Sequence, residues 1–233
     1  MGGQACVLYG AAEFSRDTDF AILASPANLA RLRRALHDLQ AEVIAVPPFD
    51  EKYLRKGHAI HFRCHHPEAS GMRVDVMTKM RGVQPFAKLW SRRTSITLED
   101  DSTCDVLSLP DLVQAKKTQR DKDWPMIRQL VEVDYFAHRD YPSQQHVHFW
   151  FLQLRTPELL VELANRRGAP PKRCVSERPL LRLVAPGHES DLSEALSKEE
   201  QSERDVDRRY WAPLRAELEQ LRKLRIVKPR GSG

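Results

Sequence analysis

Cysteine is scarce: Cys6, Cys64, Cys104 and Cys174 are scattered over 233 residues, and no two form a CxxC pair. That argues against a disulfide framework and suits reduced thiols in a reducing compartment, mostly as small core residues. Long apolar runs are also missing. Apolar residues make up 41% of the chain but are interleaved with charge, and nothing approaches the roughly 18 to 20 consecutive apolar residues of a membrane-spanning helix. The opening MGGQACVLYGAAEFSRD has no basic segment ahead of its short apolar stretch, so no secretory signal is expected and the chain reads as cytoplasmic, with no membrane partner. Internal repeats are absent as well.

Charge is plentiful. The net charge is +5, and basic residues thicken toward the end in Arg204, Arg208, Arg209, Arg215, Arg222, Lys223, Arg225, Lys228 and Arg230. Such a balance favours anionic partners. RNA binding through this segment lacks the interleaved aromatic side chains that base stacking uses. Trp90, Trp124, Trp150 and Trp211, with Phe151 and Tyr210, read as packing residues.

The pattern predicts a mixed α/β fold: a small mixed sheet flanked by helices over residues 1–140, followed by a mostly helical region over 141–233. DTDFAIL alternates as a strand, with Asp17, Asp19 and Ala21 on one side. In SPANLARLRRALHDL, Ser25 is placed as an N-cap, Pro26 suits the first helical position, and Leu29, Leu32, Leu36 and Leu39 share a stripe. AEVIAV reads as a second strand, HAIHFRC and MRVDVMT as a hairpin across HHPEASG, and the segments around Ile96 and Val106 as short strands. Helices are expected after Ser108, whose spacing to Asp111 suits a capping box, over 123–138, and over 193–225.

Three aspartates carry the chemical signal. Carboxylates at i and i+2 of a strand point to the same side, so Asp17 and Asp19 can converge on one hard cation. Asp75 sits between Val74 and Val76 in a later strand, aimed away from their buried side, where it must find water, a partner or a metal. Such a cluster joins metal to nucleotide phosphates, and glycines at a helix start let phosphate oxygens approach backbone N–H groups. His58, His61, Cys64, His65 and His66 suggest zinc by type, but strand alternation splits them between two faces.

Gly2-Gly3, a spacer, Asp17-x-Asp19 on a strand and the later Asp75 together resemble the nucleotidyltransferase superfamily of polymerase-β-like fold. GGQAxxLYGxxEFSRDTDF is most similar to the AbiEii-like and minimal nucleotidyltransferase-like proteins of bacteria, over about residues 1 to 138. The resemblance implies Mg²⁺ or Mn²⁺ on Asp17, Asp19 and Asp75, with Asp75 helping to deprotonate an acceptor hydroxyl. It implies a nucleoside triphosphate such as ATP held by Gly2, Gly3 and Ser15, with Lys116 or Lys117 near its phosphates. The acceptor would be a small molecule, tRNA or a protein, and a toxin–antitoxin partner is the alternative role. A module with this fold that binds nucleotide or partner without catalysis is a further alternative. Two departures accompany it: Glu13 stands where relatives often carry arginine, and Met1 directly precedes Gly2 where relatives have a strand, which reads as a start placed too late or, as the alternative, as a missing strand with part of the phosphate grip lost.

Overall fold

In a computed structural model, residues 1–227 are described, with side chains to residue 225. Lys228 and Arg230 of the basic segment lie outside the described residues. The chain forms two compact units: Met1–Leu8, Ala12–Ala115 and the chain from Arg209 onward make the first, and Tyr9–Ala11 with Lys116–Arg208 make the second.

The first unit is a mixed α/β assembly. Its elements are α1 (Gly2–Leu8), β1 (Asp17–Ala21), α2 (Pro26–Asp38), β2 (Glu42–Val43), α3 (Glu51–Lys56), β3 (Ile60–Arg63), β4 (Arg73–Met77), α4 (Phe86–Ser91), β5 (Thr94–Thr97), β6 (Thr103–Val106) and α5 (Leu109–Lys116) up to Ala115, with the part of the last helix from Arg209. Four strands form one sheet in the order β1-β4-β3-β2, with β1 parallel to β4 and the other pairs antiparallel. β5 and β6 form a separate two-stranded ribbon.

Local chemistry sets these elements. Ser25 Oγ accepts from the Asn28 N–H at 3.3 Å and Pro26 begins α2, which buries Leu29 and Leu36 against the sheet. The buried sheet face is Ile60, Phe62, Val74 and Val76, each burial contributing roughly 1.5–3 kcal/mol. Gly57 at φ +110 closes α3, its N–H donating to the Tyr53 and Leu54 carbonyls. The AEVIAV segment is strand only at Glu42–Val43; Ile44 still donates to the His61 carbonyl at 3.0 Å, and Pro47 and Pro48 that follow carry no N–H to continue a ladder.

The second unit is helical: α6 (Asp123–His138), α7 (Gln144–Gln153), α8 (Pro157–Arg167), α9 (Lys172–Glu177) and the part of α10 (Glu189–Val227) up to Arg208. The sequence boundary near residue 141 falls between α6 and α7, whereas the units divide at Ala115/Lys116 and Arg208/Arg209. α6 and α7 pack together, the Tyr135 and Trp150 rings meeting edge-on at 5.0 Å. Buried Arg178 clasps the end of α7, donating to the Phe151 and Leu154 carbonyls at 3.0 and 2.8 Å and to Glu199. Trp124, Trp150 and Phe151 are buried as expected for packing residues, but Trp90 is 47% exposed. No described helix is long and apolar enough to cross a membrane.

Candidate functional site

The pairing register decides where the aspartates stand. Asp19 lies directly opposite Asp75, and Asp17 opposite Arg73, on the parallel strands β1 and β4. On the other side of β4, His61 pairs with Asp75. Paired residues share a face, so Asp17, Asp19, Arg73, Asp75 and His61 stand together on the side of the sheet opposite Val74 and Val76. Strand alternation thus places the three aspartates on one face, as the sequence predicts.

The sequence does not single out Arg73, and it offers His61 only as a zinc candidate, not as a partner of Asp75. The Arg73 guanidinium forks onto Asp75, Nε to Oδ1 at 2.9 Å and NH2 to Oδ2 at 3.0 Å. His61 Nδ1 lies 2.8 Å from Asp75 Oδ1 and 3.1 Å from Arg73 NH2. Two acceptors do not sit that close, so Nδ1 carries the proton and donates to Asp75 rather than accepting from Arg73. Burial alone would raise the Asp75 pKa, but the hydrogen bonds from His61 and Arg73 outweigh it and hold the carboxyl below its ordinary value. Asp17 and Asp19 add to the field that stabilises the Arg73 cation, after Asp75 itself. An arginine two residues before a strand aspartate was the available signal; the histidine became visible only with the hairpin register.

The glycine pair closes one side of the face. Gly2 opens α1 at φ +68, and a Cβ there would overlap the Asp19 carboxylate; a Cβ on Gly3 would overlap the Ser15 hydroxyl. Only glycine lets this backbone lie so near Asp19. Ser15 Oγ donates to the Asp17 carbonyl at 3.0 Å, Gln4 Nε2 to the Ser15 carbonyl at 3.0 Å, and the Met1 amino group to the Asp19 carbonyl at 2.8 Å. Gly2, Gly3, Ser15, Asp17, Asp19 and Asp75 are therefore brought together.

Three carboxylates suit a hard divalent cation by donor type, and one arginine leaves their summed charge negative. Among the described residues, however, the group of three whose ligand atoms all lie within 4.8 Å of one another is Asp134, His138 and His146, not these aspartates. Asp75 is bonded instead to Arg73 and His61.

No protein-family model matches the chain, and no curated protein matches it.

Lys116 and Lys117 belong to the second unit. Lys116 Nζ is 3.1 Å from buried Asp123, which Arg120 and Thr118 also bond. Burial pushes the Lys117 ammonium pKa down, opposed by Glu203 and Glu199. Both lysines thus have carboxylates of their own unit beside them. The histidine run does not converge: His58 meets Glu217 at 2.9 Å, His65 meets Glu42 at 3.0 Å, and His66 caps the turn at Pro67–Ala69.

Proposed function

We propose that the first unit is a metal-dependent nucleotidyltransferase, moving a nucleoside monophosphate from a nucleoside triphosphate to an acceptor hydroxyl with release of pyrophosphate. The observation that carries this reading is the in-register placement of Asp19 beside Asp75, with Asp17 on the same face and the side-chain-free Gly2 against the Asp19 carboxylate. The polymerase-β-like fold and the AbiEii-like kinship belong to the same proposal.

Asp17 and Asp19 would hold Mg²⁺ or Mn²⁺, with Asp75 as the third carboxylate; the ion would neutralise charge on the transferring phosphoryl group. The Gly2-Gly3 backbone gives triphosphate oxygens close approach, with Ser15 beside it. Arg73 and His61 keep Asp75 ionised and fixed in direction at some cost in basicity, and in this reading its carboxylate accepts the proton of the acceptor hydroxyl. Phosphoryl transfer of this kind rests on positioning and charge neutralisation, which removes any need for a Ser-His or Cys-His nucleophile. Lys116 and Lys117, with their own carboxylates close by, take a lesser part in this reading than the sequence gives them. The acceptor, whether a small molecule, tRNA or a protein, and a role in a toxin–antitoxin pair stay open to the same assay.

The test incubates purified protein with each α-labelled nucleoside triphosphate, Mg²⁺ or Mn²⁺ and host lysate, beside an Asp17→Ala/Asp19→Ala control. Transfer of label by wild type and its loss in the control is the expected result, and the labelled component identifies the acceptor class. No transfer, with no metal-dependent nucleotide binding, would overturn the reading.

A further inference from the structure

A second constellation stands in the helical unit, apart from the aspartate residues in sequence and chemistry. Asp134 and His138 are i and i+4 on α6, hence on one side of that helix. The connection at 139–143 is short, and Ser143 caps α7 through a capping box in which His146 is the third helical residue. That box turns the His146 ring back toward the end of α6, where the His138 and His146 rings stack at 4.5 Å between centroids, tilted by 32°. One ligand atom from each of Asp134, His138 and His146 lies within 4.8 Å of the other two.

The surroundings prepare these groups. Trp150 Nε1 donates to Asp134 Oδ2 at 2.7 Å and fixes the carboxylate, while Oδ1 is 3.4 Å from His138 Nδ1. A hydrogen bond to the far oxygen of a ligating carboxylate is the usual device that orients it and tunes its basicity. His138 Nδ1 is also 2.9 Å from the Asp134 backbone carbonyl; as that oxygen can only accept, Nδ1 carries the proton and the ring's lone pair is on Nε2. The His146 ring stacks on Trp150 at 5.5 Å between centroids, and its one hydrogen bond is long, Nδ1 accepting from the Ser143 N–H at 3.4 Å. The cap does not depend on that bond, since Ser143 Oγ accepts from the His146 N–H at 3.1 Å.

We propose that Asp134, His138 and His146 bind a divalent transition cation of the Zn²⁺ class. Two imidazole nitrogens and one carboxylate oxygen are a donor set that suits zinc and its neighbours, whereas Mg²⁺ and Ca²⁺ favour oxygen throughout. Zinc bonds of about 2.0–2.2 Å bring tetrahedral ligands closer together than the free side chains stand, so binding draws the His146 ring inward and exchanges its long Ser143 bond for a metal bond. His138 is exposed, which gives the cation an entry path and leaves a coordination position to water. Because the ligands come from α6 and α7, coordination staples these helices across their short connection. The contrary view is an ordinary helix-end histidine paired with Asp134, and it predicts no metal dependence at all.

The full, tag-free chain, freed of metal by chelator, would be titrated with Co²⁺ alone and then with Zn²⁺. The expected result is saturation at one equivalent of Co²⁺ with visible d–d absorption, displacement by Zn²⁺, and a Zn²⁺-dependent rise in the thermal midpoint. His138→Ala and His146→Ala each weaken Co²⁺ binding by at least about tenfold, with far-ultraviolet circular dichroism unchanged in His138→Ala because that side chain is exposed. Asp17→Ala/Asp19→Ala keeps the Co²⁺ band, which separates this site from the proposed nucleotidyl-transfer site. Absence of a saturable band, or its survival in His138→Ala/His146→Ala, would overturn the proposal.

Discussion

A carboxylate in the middle of a buried strand needs compensation, and Asp75 receives it from two directions, Arg73 along its own strand and His61 across the hairpin. Arg73→Met removes the fork but leaves the burial, so the Asp75 pKa should rise; a carboxyl-detected NMR titration would show it, and an unmoved pKa would contradict the pairing. Gly2→Ala forces a side chain into the Asp19 carboxylate and strains a left-handed residue, at a cost on the order of 1–3 kcal/mol for the backbone alone. The expected outcome is weakened Mn²⁺ binding with the fold retained, measured by Mn²⁺ titration and circular dichroism. The aspartates were legible because their types and i, i+2 spacing carry the message within one short strand. His61 was not, because its partner depends on which residues a hairpin sets opposite each other, and a one-residue slip would have put it on the other face. Trp90 read as packing and is half exposed, since nothing in its local pattern separates a stacked surface ring, here on Phe86, from a core one.

Helices were the more legible elements. The span 123–138 coincides with α6, and the long C-terminal helix begins at Glu189 rather than residue 193, because its acidic first turn favours helix ahead of the apolar repeat. The Ser25 cap was visible from Ser-Pro preceding a leucine stripe; Ser25→Ala should lower stability by about 1 kcal/mol in urea denaturation. Ser108 and Asp111 have capping-box spacing, yet their side chains bond each other at 2.7 Å while Asp111 also grips Arg92, a partner 19 residues away that no local pattern announces. On α6, burial and the hydrogen bond to Glu162 push the Tyr135 phenol up to about 12. A raised pKa means its contribution to stability is complete below about pH 10, the unfolded value, and is lost as pH rises toward 12. Tyr135→Phe should remove that part of the alkaline transition, read by circular dichroism between those pH values.

Across the whole chain, the acid side carries the opposite sign. For Asp75, Asp123 and Glu199 burial is outweighed by their cationic and hydrogen-bond partners, and all three pKa values are depressed. Depressed carboxylates stabilise the fold above their unfolded values, near pH 4, and that stability falls away as pH drops through the folded values. The mixed α/β character could be read from the alternation of strand and helix patterns, but the division into units could not, because it depends on tertiary pairs such as Tyr135 with Trp150 and Gln119 with Asp207. A nucleotidyl-transfer site on the face bearing Asp17, Asp19 and Asp75 must take up a cation together with nucleotide. Mn²⁺ binding, followed by electron paramagnetic resonance with and without a nucleoside triphosphate, tests this most directly. Bound Mn²⁺ should increase with nucleotide, be lost in Asp17→Asn/Asp19→Asn, and persist in His138→Ala/His146→Ala. Nucleotide-dependent Mn²⁺ uptake that is the same in Asp17→Asn/Asp19→Asn as in wild type, or no such uptake at all, would contradict it.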